Sequence, residues 1–109
     1  MSTPTRFYGP ARLTTTSSTK YTAPADFVSL VRLIRIVNPS NELARFNLSI
    51  GTDGATTRLF DGFVMPPNSI LMHRCYDPLV EAEIIQAYGN PTNTLIITIS
   101  GDLVPSDVG

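Results

Sequence analysis

The sequence predicts an all-β protein: an antiparallel β-sandwich, jelly-roll-like, with about eight strands and an extended N-terminal arm. Three observations carry that expectation. Apolar stretches recur at intervals of roughly 8–12 residues with turn residues between them, the spacing of antiparallel sandwiches and barrels. Thirteen Thr and nine Pro, with Asn-Pro and Pro-Pro pairs among them, oppose helix. Several segments alternate apolar and polar residues, as a strand with one wet face should.

Residues 1–9 read as an extended arm, because Pro4 and Pro10 resist regular pairing while Phe7 and Tyr8 can anchor it. Residues 10–104 form the sandwich domain and 105–109 a polar tail. Two short strands are expected at 11–16 and 19–23, around Ser17-Ser18. The long central strand is 27–38, followed by a turn at Pro39-Ser40-Asn41. Residues 44–50 alternate cleanly, with Phe46, Leu48 and Ile50 on one face and Asn47 and Ser49 on the other. A turn at Gly51–Gly54 leads to a strand at 58–64, and Pro66-Pro67-Asn68 turns the chain again. Residues 69–76 are a strand with Ile70 and Met72 on one side and Leu71, His73 and Cys75 on the other; Asp77-Pro78 should break it. The stretch 77–87 tolerates helix in its first half, but Ile84-Ile85 favours a strand at 83–88. After a loop at 89–93, residues 94–100 alternate again, with Leu95, Ile97 and Ile99 inward.

The run 27–37, FVSLVRLIRIV, departs from alternation. Eight of its eleven residues are apolar, so both faces of the strand are expected to be covered. One face belongs to the sandwich; the other calls for the arm or a neighbouring subunit. Arg32 and Arg35 are three apart, and on a regular strand they point to opposite faces.

Composition bounds the function. A chain of 109 residues is one domain, and burying roughly two-thirds of its unfolded surface suffices without disulfides or metal. Charged residues make up only 16% and the net charge is -1, so there is no electrostatic footprint for nucleic acid or an anionic membrane. The cations are seven Arg and one Lys; Arg suits buried and interface positions, although a GC-rich genome also favours it. One cysteine excludes an internal disulfide. No signal peptide is read at the N-terminus, and no apolar run reaches the roughly 18 residues of a membrane span.

Few side chains suggest chemistry. His73 and Cys75 share a strand face with Asp77, and a Cys–His pair can make a nucleophile. Catalytic Cys and His usually come from separate elements, however, so the row reads as a half-buried strand face. The same three residues are too few for a zinc site. Asp53 lacks the repeat of oxygen ligands that a calcium loop needs. Gly51 and Gly54 lack the Lys-Ser/Thr pair of a phosphate cradle. Glu81 and Glu83, which share a face on a strand, have no aromatic platform for glycoside hydrolysis and read as solvated. Without Trp, a glycan-binding surface would rest on tyrosines, Tyr8, Tyr21, Tyr76 and Tyr88, of which Tyr76 and Tyr88 near loop tips are the ligand-facing candidates. No catalytic residue, cofactor or metal is expected.

The segments RFYGPARLTTT, KYTAP, VRLIRIVNPS…FNLSIGTDG, TRLFDG, EIIQAYG and LIITISGDLV together resemble small virion proteins of tailed bacteriophages, especially those infecting actinobacteria. The resemblance spans about residues 6–104, and its motifs are structural. It implies a β-sandwich serving as a minor tail or virion accessory protein, with capsid decoration as an alternative. It carries over no catalytic residue. The chain departs from the pattern at Ala23-Pro24-Ala25-Asp26, where a Pro-Ala-Gly turn is common, so the turn before the central strand stays open. The implied protein is made in a host cytoplasm and resides in the virion. The arm and the doubly covered central strand independently lead us to expect a homo-oligomer, trimer or higher, bound to other virion proteins, with Phe7, Tyr8, Arg32 and Arg35 as interface or arm residues; rim charges on an intramolecular face are the other reading of Arg32 and Arg35. A carbohydrate- or receptor-binding module at a tail tip, reading host-surface glycans, is the competing expectation; nucleic acid and membrane are not partners.

Overall fold

The computed structural model describes residues 3–105; what the sequence suggests for 1–2 and 106–109 lies outside the described residues. Eight strands follow one another: β1 (Thr3–Arg12), β2 (Ser18–Thr22), β3 (Phe27–Asn38), β4 (Ala44–Ile50), β5 (Arg58–Met65), β6 (Ser69–Leu79), β7 (Ile84–Asn90) and β8 (Ile96–Pro105). Sheet 1 has the order β1-β8-β3-β6 and sheet 2 the order β2-β7-β4-β5. Every pairing is antiparallel. The pairs β1·β8, β2·β7, β3·β6 and β4·β5 make one long ribbon that is rolled into two layers, which is the jelly-roll topology.

The stretch 3–9, expected as an extended arm, is extended and runs along β8 as the first part of β1. Its prolines are accommodated because β1 is an edge strand, where a missing N–H breaks no ladder. A register shift between Tyr8 and Ala11 absorbs Pro10. Gly9, at φ +84°, lies so close to the Ile97 carbonyl that a Cβ would not fit. The same edge argument explains why β6 continues through Asp77-Pro78 rather than ending there. The helical alternative in 77–87 is not taken up: 77–79 end β6, a turn follows, and β7 begins at Ile84.

The core lies between the sheets. Phe46 and Leu48 of β4, Ile85 and Ala87 of β7, and Ile97 and Ile99 of β8 are buried. Each fully buried Leu, Ile or Phe contributes roughly 1.5–3 kcal/mol. Between the edge strands β5 and β6, aromatic rings fill the gap. Phe46, Phe60 and Phe63 meet at centroid distances of 5.0, 5.5 and 5.4 Å, and His73 meets Phe60 edge-on at 5.1 Å.

β3 carries a β-bulge. Its register with both neighbours shifts between Val31 and Leu33, leaving Arg32 as the extra residue. Val31 and Ile34, three apart, are therefore both fully buried. Opposite the bulge, Gly101 lies against the Leu30 carbonyl with no room for a Cβ. The bulge corrects the expectation that Arg32 and Arg35 point to opposite faces: both project from the outer side of sheet 1. The expected cover on that side is also not supplied by the arm, since β1 pairs at the sheet edge and leaves Leu30, Leu33 and Val37 half-exposed.

At the far end of β3, Asn38 is fully buried. Its Nδ2 donates to the carbonyls of Glu42, Met65 and Pro66 at 2.8, 3.1 and 3.0 Å. Its Oδ1 accepts from the Ser40 amide and hydroxyl. One side chain thus ties the β3–β4 turn to the β5–β6 turn. Replacing Asn38 with Ala orphans these carbonyls and should cost about 2–3 kcal/mol, read as a lower urea midpoint at unchanged slope. Gly101→Ala should cost at least about 2 kcal/mol by the same measurement, because backbone must shift to admit the methyl.

Candidate functional site: the outer face of sheet 1

The register of sheet 1 sets its outer side chains in cross-strand rows. One row is Arg6, Ser100, Leu33 and Arg74, from β1, β8, β3 and β6. The next is Thr98, Arg35 and Met72, and beyond it Arg12, Ile96, Val37 and Ile70. On the other side of the first row lie Pro4, Asp102, Leu30 and Pro78. Arg32 enters from the bulge. Its Nη1 meets Asp102 Oδ2 at 3.2 Å, and its guanidinium sits 5.7 Å from the Tyr76 ring centroid.

Five of the seven arginines therefore frame one sheet face. Arg35 donates to Thr98 Oγ1 at 3.4 Å. Among the described residues, Arg6, Arg12, Arg35 and Arg74 have no carboxylate within ion-pair distance. Two shallow depressions lie among them. One of about 490 Å³ is bordered by Arg6, Arg32, Ser100 and Asp102, and one of about 220 Å³ by Arg6, Leu33, Arg35, Thr98 and Ser100. Their shared Arg6 and Ser100 border confirms that Arg32 and Arg35 lie on one face.

The neighbouring edges are apolar. Leu59, Phe63 and Val64 of β5 and Ile70, Met72 and Tyr76 of β6 are exposed. Among the described residues these are six of the eight large hydrophobic side chains left exposed, and both strands are free edges on the same side of the sandwich.

On sheet 2 the charges beside β5 are satisfied within the chain, whereas Arg45 of β4 and Lys20 of β2 have no carboxylate within ion-pair distance among the described residues. Arg58 binds Asp53 through Nε and Nη2 at 3.0 and 3.3 Å and reaches Asp61 at 3.3 Å and the Tyr88 hydroxyl at 3.5 Å. Asp53 also accepts from the Ser49 hydroxyl, and its amide donates to Gln86 Oε1. The Arg58 hydrogen bond holds the Asp53 carboxyl below the usual carboxylate range. Asp53 is thus a turn residue locked by an ion pair. Among the described residues no group of three His, Cys, Asp or Glu is placed to hold a metal.

The other candidate residues fall in separate places. Phe7 packs on Tyr21 at 4.8 Å, and Tyr8 lies beneath Lys20, so both are occupied in joining β1 to β2. Tyr76 is 65% exposed on β6, while Tyr88 is half-buried on β7 in the other sheet with its hydroxyl on Arg58. The two tyrosines do not form one surface. His73 and Cys75 face inward, but the imidazole packs against Phe60 and the thiol lies 3.5 Å from the Val31 carbonyl. Burial, reinforced by the hydrogen bond and charge of Asp77, pushes the Cys75 thiol up to about 11. Glu81 and Glu83 lie in the β6–β7 turn rather than on a strand.

Sequence reasoning named Arg32 and Arg35 but missed Arg6, Arg12 and Arg74. Their only signal is a register spanning four strands, which one-dimensional spacing does not contain. Compared with known proteins, the chain matches no family model, no curated sequence and no solved structure. No described helix is long and apolar enough to cross a membrane.

A thiol with its pKa near 11 is almost entirely protonated at neutral pH. Cys75 should react with a disulfide reagent at pH 8 more than about 10-fold more slowly than a free thiol, the small thiolate fraction outweighing the higher nucleophilicity of a more basic thiolate. Its rate should keep rising with pH beyond 9; a plateau below that would show a thiolate already formed.

Proposed function

We propose that this protein is a non-enzymatic structural component of a tailed-phage virion, a minor tail or accessory protein that works through protein–protein contacts. The observation that carries the assembly part is the outer face of sheet 1, where arginines without acid partners alternate with half-exposed apolar side chains. Arg packs its plane while making forked hydrogen bonds, and it is enriched where proteins meet. The adjoining β5 and β6 edges add exposed apolar surface and unpaired backbone, a combination that monomers usually guard against. The jelly roll supports the virion part only as analogy, since it recurs in viral capsid proteins but also in lectin domains and cupins. The phage resemblance of the sequence segments supports it separately.

A carbohydrate- or receptor-binding module at a tail tip is the second reading. It is favoured by Tyr76, whose exposed ring beside Arg32 offers a small stacking platform next to the larger depression. Retention of a Tyr76→Ala-sensitive signal on an array of bacterial wall sugars would shift the weight to it.

Light scattering after size exclusion should give a trimer or larger closed species. The Arg32→Glu/Arg35→Glu double variant should keep the β circular dichroism signal and lose that mass. A wild-type monomer at all concentrations, or full assembly of the double variant, would count against this face as the interface.

A further inference from the structure

We infer that the outer face of sheet 1 receives the acidic end of a second copy of the same chain, so that copies join head to tail. The inference rests on the assembly reading above and specifies its partner and its geometry.

The acidic end is built by two loops at the pole where β3 begins and β6 ends, residues 23–26 and 80–83. They carry Asp26, Glu81 and Glu83, all exposed, and no cation. Backbone hydrogen bonds fasten the loops together: the Ala23 amide donates to the Glu83 carbonyl at 2.9 Å, and the Ala82 amide to the Ala23 carbonyl at 3.0 Å. The Val80 amide donates to Glu83 Oε1 at 2.7 Å, closing the turn. Asp26 and Ala82 hold positive φ, 68° and 71°, so both loops are fixed in tight conformations. The result is a preorganised acidic knob with an exposed apolar tip at Val80.

The outer face of sheet 1 is its complement. Its arginines surround Leu33, Val37, Ile96 and Met72, an apolar floor with a cationic frame. Asp102 is the one carboxylate in the rows, and it is already engaged by Arg32.

Charge balance selects a copy over another anion. A surface evolved to hold a nucleic acid or an anionic membrane belongs to a basic chain, yet this chain carries -1 overall with a pI near 5.6. Three of the chain's nine acids, Asp26, Glu81 and Glu83, gather at the knob, on a different surface from the arginine face. A two-fold contact of this face with itself would set arginines against arginines. Knob and face are different surfaces, so the contact is heterologous, and such contacts close into rings or continue as filaments.

The test is a charge swap. The face variant is Arg6→Glu/Arg35→Glu/Arg74→Glu; the knob variant is Glu81→Lys/Glu83→Lys, with Glu81→Lys alone as a milder form that keeps the Glu83 hydrogen bond. Circular dichroism and urea midpoints establish that each is folded. Each alone should run as a monomer by light scattering. An equimolar mixture should regain oligomer mass, because acid meets arginine at one contact and lysine meets glutamate at the next. Wild-type mass should fall as salt is raised from 50 to 500 mM. Wild-type assembly with both variants still assembled overturns this inference and leaves the assembly reading standing. Variants that dissociate but stay monomeric when mixed also overturn it. A wild-type monomer overturns both.

Discussion

Everything on the outer face of sheet 1 depends on one extra residue in β3. A regular strand carrying Val31 inward would turn Ile34 outward. The bulge at Arg32 resets the alternation, so Val31, Ile34 and Ile36 all reach the core. The same reset places Arg32 and Arg35 on one side. Gly101 makes it feasible, because any side chain there would collide with the Leu30 carbonyl. Core packing and the arginine frame are thus two readings of one backbone irregularity, and neither can be altered without the other.

That irregularity also marks where the sequence stops being legible. About eight strands, the bounds of β2, β3, β4, β5 and β7 to within two residues, and the inward set Leu95, Ile97 and Ile99 follow from alternation and turn chemistry, and the structure bears them out. The first strand, expected at 11–16, is instead Thr3–Arg12, and β6 and β8 run past their expected ends. Alternation fails in FVSLVRLIRIV for two reasons that look identical in one dimension. The inward phase shifts by one at Arg32, and the outward positions Leu30, Leu33 and Val37 are themselves apolar. A run of apolar residues reports both and separates neither. The extent of β1 was hidden by its prolines, which mark a segment as irregular in a sheet interior but are tolerated on an edge. The site was half legible: two of its arginines lie in one strand, and the rest come from β1 and β6, joined only by pairing.

The two sheets divide their labour. Sheet 2 gathers Asp53, Asp61 and Tyr88 around Arg58 beside β5 and leaves Arg45 and Lys20 without acids among the described residues. Among the described residues, sheet 1 leaves four guanidinium groups without acids. Exposed ion pairs contribute little to stability, so this difference bears little on how firmly the domain folds. It bears instead on the charge each surface shows: the Arg58 cluster beside β5 is neutralised, whereas the outer face of sheet 1 keeps a frame of arginines.

The rolled ribbon has a temporal consequence. β1 pairs with β8, and β3 lies between β6 and β8, so sheet 1 has its first, central and last elements bound to one another. During synthesis β1 and β3 emerge long before β8, and their apolar side chains wait unpaired until the final strand clears the ribosome. Loop closure over nearly the whole chain must precede the β1·β8 contacts, and the β3·β8 contacts also join distant segments, the kind of non-local pairing that slows folding. The hairpin β4·β5 is the most local pairing, whereas the arginine face draws on β1, β3, β6 and β8 and cannot be complete before β8 is made. The outer face of sheet 1 is therefore finished only when the domain itself is, and a nascent chain that still lacks β8 does not present it.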